Sequence, residues 1–349
     1  MSPTLLARWS TTLERYGSQP ALIHASTEEA ITFSELDRRA RAWGVRWSKE
    51  LATLSNKAVV FAVANSSLWF EIALGLFRAG AIAVPVDSAE PLSAQRELAS
   101  ALRAGALWEG DRIVRLDEKN TARRFRNPGT SLIKLTSGST GQPRPLIFTD
   151  RQLIADAEQV MSTMGISSQD LNYALIPFGH SYGLGNLSLP LVIAGIPVVC
   201  GTAALPRAIA DDFVRWKPTV FAGVPALFRA LASSTDLRLE SLRLAISAGA
   251  PLAPEIATAF YNQFGRRIHN FYGSSETGGI TFDREGLGAL QGSVGTALDG
   301  VHLTFLSGQR LQVSSAAVVT LGNRTRHQGE GAWVMADRVA RDAEGRLTL

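Results

Sequence analysis

Cysteine is almost missing from this chain. Cys200 is the only one in 349 residues, so no disulfide can form within it, which suits a reducing compartment. It ends an apolar run and reads as a buried structural thiol. Excess charge is thin as well. The net charge is +4, and the most basic stretch, 103–126, is interrupted by Glu109, Asp111, Asp117 and Glu118. No nucleic-acid partner is expected from that balance. Long hydrophobic runs are absent too. The longest, 187–200, is broken by Pro190 and Pro197 and is too short to span a bilayer. Residues 1–17 carry no apolar signal-peptide core, so the expected location is cytoplasmic. No Cys/His cluster has zinc-ligand spacing. No Gly-x-Ser-x-Gly elbow presents a serine nucleophile.

What is present is ordinary globular material: 46% hydrophobic and 19% charged residues, enough for two or three α/β layers. One stretch stands out within it, Leu135-Thr136-Ser137-Gly138-Ser139-Thr140-Gly141-Gln142-Pro143-Arg144. It leaves a strand-like run, packs hydroxyls and glycines together, and ends on a cation. Glycines let backbone N–H groups approach phosphate oxygens, hydroxyls add donors, and the cation neutralises charge. It is not a P-loop, because no Gly-Lys-Ser/Thr closes it.

Along the chain, apolar strands alternate with amphipathic helices. Strand-like runs at 57–64, 81–84, 131–135, 172–176, 198–200, 219–221, 244–246 and 268–272 are separated by helical patterns. Ser34 and Asn65-Ser66 read as helix caps, and 183–193 reads as one helix kinked at Pro190. This alternation predicts stacked, doubly wound α/β sheets. From about Gly292 the pattern changes to short strands (301–305, 310–313 and 317–321) with Gly-rich turns, which predicts a small antiparallel β unit. The expected division is 1–170 and 171–290 as two α/β subdomains and 291–349 as the small β subdomain.

Four further stretches complement the glycine-rich loop: Gly179-His180-Ser181-Tyr182-Gly183, Ser247-Ala248-Gly249-Ala250-Pro251, Tyr272-Gly273-Ser274-Ser275-Glu276 and Met335-Ala336-Asp337. Each follows or ends a strand-like run, where sites in open α/β sheets lie. As chemistry they fit one nucleotide. Tyr272 offers a ring face to a base, and Gly249 and Ala250 let backbone reach the base edge. Asp337 accepts from ribose hydroxyls, Ser275 donates to phosphate, and Glu276 is a carboxylate for magnesium. His180 sits where a carboxylate substrate would lie.

In this order the stretches resemble the adenylate-forming superfamily of acyl- and aryl-CoA synthetases, peptide-synthetase adenylation domains and luciferases. The resemblance covers essentially the whole chain. It implies the large N-terminal domain of that superfamily, with ATP and Mg²⁺ as cofactors and a small carboxylic acid as substrate. The acid is converted to acyl-AMP and pyrophosphate, then passed to a thiol of coenzyme A or of a carrier-protein phosphopantetheine. It also implies Thr136 with Glu276 at the metal, Pro251 and Gly273 beside the nucleotide, and Arg144 on the departing phosphates. Ser247 and Gly273 would border the acid. His180, Tyr182, Gly183 and Val224 suggest an apolar aryl or acyl group, since no aspartate is evident to hold an amine.

The chain departs from the pattern in places. Arg144 stands where the family has lysine, Pro145 where it has glycine, Ser275 where it has threonine, and Met335-Ala336 where it has Thr-Gly. Family members also continue into a smaller C-terminal domain with a catalytic lysine. That domain is expected to be absent here, or supplied as a separate partner alongside an acyl carrier protein. The alternative expectation is a non-catalytic relative that binds an acyl group or nucleotide.

Overall fold

The run Ala58–Ala62 is apolar at every position and buried at all but its last residue, as befits a strand inside a parallel sheet. It lies at the centre of a six-stranded sheet in a computed structural model that describes residues 3–116, 122–125, 129–136, 144–319 and 331–349. The strand order is Arg112–Arg115, Ala106–Glu109, Ala58–Ala62, Ile82–Val86, Thr130–Thr136, Arg144–Thr149. The inner four are parallel and both edges are antiparallel hairpin partners.

The second sheet has nine strands. Its order is Thr296–Ala297, Gly278–Phe282, Ile268–Ser274, Leu244–Ser247, Val220–Gly223, Asn172–Ala174, Val198–Cys200, Pro20–His24, Glu29–Thr32. Six of these run parallel, from Ile268–Ser274 through Pro20–His24. Sheet membership therefore does not follow chain order. The hairpin of residues 20–32, inside the segment 1–170, pairs beside Val198–Cys200.

The largest core lies between the two sheets. It joins Leu22, Val198 and Ile246 of one to Phe61, Leu132 and Phe148 of the other, through helices Phe33–Arg46, Ser67–Arg78 and Asp150–Met164. A second core covers the far face of the large sheet under Pro206–Trp216, Pro225–Ala232 and Pro254–Phe264. A third lies under Leu92–Ala101 on the far face of the six-stranded sheet. Helices thus cover both faces of each sheet, the doubly wound arrangement read from the alternation.

The local differences have physical causes. The cap of Phe33–Arg46 is Thr32, whose hydroxyl accepts from the Glu35 N–H at 3.1 Å, rather than Ser34. Residues 181–194 are not one kinked helix. A turn of α-helix at Ser181–Gly183 passes through a π-helical segment, Leu184–Ser188, into Leu189–Ala194. Pro190 then stands in the first turn of that last helix, where its missing N–H costs nothing. The small antiparallel sheet is His302–Leu306, Arg310–Ser314 and Ala332–Arg338. Residues 317–319, expected to be strand, instead turn beneath the site. There Val318 C=O accepts from Gln152 Nε2 at 2.7 Å, and Val319 N–H donates to Glu276 C=O at 2.8 Å.

Candidate functional site

Parallel strands all present their C-terminal ends on one side, so the loops that follow them meet there. Leu244–Ser247 runs into Ala248, Gly249, Ala250 and Pro251, while Ile268–Ser274 carries Tyr272 and Gly273 to the same edge. A cavity of about 650 Å³ opens between them. His180, Tyr182, Ser247, Gly249, Ala250, Pro251, Tyr272, Gly273, Ser275 and Asp337 all line it. Ten of the residues singled out in the sequence therefore share one space.

Hydrogen bonds fix several of them. The Tyr272 hydroxyl donates to Asp337 Oδ2 at 2.6 Å, bringing the strand Ala332–Arg338 onto the large sheet. Burial first, then this carboxylate, push the phenol's pKa above its ordinary range. Ser274 Oγ accepts from the N–H groups of Glu276 and Thr277 at 3.2 and 3.3 Å, which shapes the turn that presents Ser275 and Glu276. Ser181 Oγ donates to Ser275 Oγ at 2.9 Å.

His180 caps the short helix behind it. Its Nδ1 accepts from Tyr182 N–H at 3.3 Å, which leaves the proton of the neutral ring on Nε2. Burial lowers its pKa, against a rise from Asp87 and with a further lowering from Lys134, so the neutral form is favoured at physiological pH. Tyr182 lines the cavity, but its hydroxyl is committed to Ile246 C=O at 3.0 Å.

Other residues lie behind the wall. Gly183 packs so closely on Pro177 that a Cβ would collide with its carbonyl oxygen. Val224 stands behind Gly249, where an added Cβ would meet its Cγ1 at 3.7 Å. Arg144 lies over the Trp333 ring, 5.7 Å from guanidinium carbon to centroid. Ser137, Gly138, Ser139, Thr140 and Gly141 lie outside the described residues.

A second cavity of about 490 Å³ opens at the ends of Ile82–Val86 and Thr130–Thr136. Asp87, Gln95, Lys134 and Thr136 line it, and His180 and Ser181 line both cavities. The Thr136 hydroxyl and the Glu276 carboxylate are hard oxygen donors of the kind magnesium takes. Magnesium binds through one or two carboxylates with substrate phosphate and water completing its shell, and these donor types suit it, but Glu276 lines neither cavity.

Three residues here escaped the reading of the sequence. Lys134 is buried in the strand Thr130–Thr136, and Asp156 is buried on the helix Asp150–Met164. They pair at 3.7 Å from Nζ to Oδ2. Lys134 also lies 4.4 Å above the Phe148 ring. Burial pulls its pKa down, while Asp156 and then Glu276 push it back up. The signal was a charge within an apolar period: Lys134 inside Ser-Leu-Ile-Lys-Leu, and Asp156 beside Leu153, Ala157 and Val160. The third is Asn65, read as a helix cap. Its Nδ2 donates to Ile176 C=O and its Oδ1 accepts from Phe178 N–H, both at 2.8 Å.

The family model for AMP-binding enzymes matches residues 108–314, more than half of the chain. A feruloyl-CoA synthase from an Amycolatopsis species is 26% identical over 307 residues. That match covers 79% of this chain and 60% of the relative, so the chain spans less than two thirds of that enzyme's length. Among solved structures, the N-terminal domain of FACL13 from Mycobacterium tuberculosis superposes with a TM-score of 0.86 at 16% identity. It covers 99% of this chain and 98% of that one. O-succinylbenzoate coenzyme A synthetase from Bacillus subtilis, in complex with AMP, superposes at 0.84 with 19% identity, covering 98% and 97%. The fold is that of the N-terminal domain of adenylate-forming enzymes, and the chain belongs to the AMP-binding enzyme family.

Proposed function

We propose that this chain adenylates a small carboxylic acid with ATP, and that the acid is an aryl or medium acyl acid destined for a thiol of coenzyme A or a carrier protein. The acid's carboxylate oxygen forms a bond to the α-phosphorus. The bond from that phosphorus to the bridging oxygen breaks, and pyrophosphate leaves with the electron pair. The products are acyl-AMP and pyrophosphate. The protein contributes positioning and charge stabilisation.

Tyr272 stacks on the adenine, and Gly249, Ala250 and Pro251 follow its edge. Asp337 accepts from the ribose hydroxyls. Ser275 donates to phosphate oxygen, and the His180 Nε2–H donates to the carboxylate or the phosphate it attacks. Arg144 and the loop that precedes it meet the departing phosphates. Thr136 and Glu276 would hold magnesium, which neutralises phosphate charge when bound. Tyr182, Gly183, Val224, Ser247 and Gly273 shape the space for the acid. The observation that carries this reading is the meeting of Tyr272, Asp337, His180 and Ser275 in one cavity at the strand ends.

The test is a thermal-shift and calorimetry panel with Mg·ATP, AMP and non-hydrolysable acyl-adenylate mimics bearing aryl, short and long acyl groups. A ligand present at a hundred times its Kd adds about 2.7 kcal/mol to stability, so a specific mimic gives a large shift. Base–aromatic stacking is worth about 1–3 kcal/mol, so Tyr272→Ala is expected to weaken the best mimic by roughly ten- to a hundredfold. Absence of binding by every nucleotide and mimic would overturn the reading.

A further inference from the structure

The two cavities are separated by a wall that contains a buried ion pair. Asp156 lines the larger cavity and Lys134 the smaller, and His180 and Ser181 border both. The two side chains retain 5% and 2% of their exposure. A buried pair of this kind is costly to desolvate, and apolar residues of equal volume would hold a core as well. Its position therefore calls for an explanation beyond cohesion.

Each partner sits next to a segment of the nucleotide reading. Lys134 lies two residues before Thr136 on the strand Thr130–Thr136, so the two side chains leave the same face. Asp156 Oδ1 accepts from Gly279 N–H at 3.0 Å, directly beyond the Ser275–Glu276 turn. Gly278 has φ +72°, and a Cβ there would collide with the same carboxylate. The backbone of the turn is thus seated on Asp156. The opposite oxygen of Asp156 faces the ammonium, which also feels the Glu276 carboxylate and lies over the Phe148 ring.

We propose that Lys134 and Asp156 are positioning residues for Mg·ATP, an ionic brace that sets the strand ending in Thr136 at a fixed distance from the turn carrying Ser275 and Glu276. The inference rests on the adenylation reading above. Neither residue need touch the nucleotide. The brace holds two groups that approach the phosphates from different elements, one from the six-stranded sheet and one from the large sheet. An acyl-adenylate mimic lacks the β- and γ-phosphates and needs no magnesium, so of these groups it meets only Ser275 and depends on that spacing less than Mg·ATP does.

The experiment compares wild type with the double variant Lys134→Met/Asp156→Asn. Both replacements keep the shape, and removing both charges leaves no lone buried ion. Asp156→Glu, which keeps the ion pair and changes only its length, serves as the second measurement if the double variant is poorly folded, with the same selective loss for the Mg·ATP analogue expected. Calorimetry measures affinity for a non-hydrolysable ATP analogue with Mg²⁺ and for the best acyl-adenylate mimic. The expected result is a loss of at least about tenfold for the Mg·ATP analogue and a clearly smaller loss, no more than about threefold, for the mimic. Parallel loss of both ligands would make the pair merely structural and overturn the proposal, as would no change in either. If wild type binds neither ligand, the adenylation reading itself fails and takes the brace with it.

Discussion

Glu35 shows how much charge one half-buried residue at the surface can gather. Its carboxylate accepts from Arg38 Nε and Nη2 at 2.7 Å and from Arg39 Nε at 2.8 Å, while its own N–H is capped by Thr32. The hydrogen bonds from Arg38 and then Arg39 bring its pKa down to about 2 from the ordinary 4.5. A depressed carboxylate stabilises the fold above the unfolded value, and that contribution fades as pH falls towards the folded one. Glu35→Gln should therefore lower the melting temperature at neutral pH, with the deficit shrinking below about pH 4.5. The effect is small because the group faces water. A deficit that stays constant down to acid pH would assign it to packing instead.

The residues of the proposed nucleotide site were the legible ones, because each lies near or just past the end of a strand. Tyr272, Ser275 and Asp337 stood out for that reason, and they share a cavity. Lys134 and Asp156 were not legible. A lysine within an apolar strand and an aspartate on an apolar helix face look like noise until the fold brings them to 3.7 Å. Pairing between elements 22 residues apart leaves no local pattern to detect.

At the scale of the element, the instructive segment is the one that follows His180. Its period and apolar character predict a helix, and a helix it largely is. The π-helical stretch Leu184–Ser188 was not predictable, because it answers to tertiary packing and not to propensity. The same applies to residues 317–319. Their β-branched run reads as strand, yet they serve as a plug whose backbone groups bond Gln152 and Glu276. Gly183 explains why the His180 turn can sit so low. It lets the helix start against Pro177 without a side chain between them. Gly183→Ala forces the two backbones apart, and overpacking of this kind costs about 1–3 kcal/mol. Because His180 is only three residues away, the displacement should also weaken acyl-adenylate mimic binding. Denaturant midpoints and calorimetry check both effects together. A variant of full stability and full affinity would show that the contact has room to relax.

At the scale of the whole molecule, the two large sheets must agree on where His180 stands. The alternation of strands and helices made the two-sheet plan readable, but not which sheet each strand joins, and the 20–32 hairpin lies in the large sheet, apart from the strands that follow it. The junction itself was misread at Asn65, whose position before a helix suggested a cap. Ser66 is the N-cap and makes no side-chain capping bond, leaving Asn65 free for a different task. Asn65 leaves the six-stranded sheet after Ala58–Ala62 and clamps Ile176 and Phe178, the segment that leads from the large sheet to His180. It satisfies one donor and one acceptor that no strand pairs. Asn65→Ala strands both. An unpaired buried polar group costs about 1–3 kcal/mol, and partial access of water here puts the expected loss near the lower end for each, about 2 kcal/mol in all. Asn65→Asp should fall between wild type and alanine, since it still accepts from Phe178 N–H but sets a carboxylate oxygen against the Ile176 carbonyl. Denaturant unfolding measures the loss, and pyrophosphate exchange driven by the best acid measures the consequence at His180. If the sheets are held in register by the clamp, exchange falls in the same order as stability. If exchange is untouched while stability drops, the interface core alone sets the position of His180 and the clamp is only a local anchor.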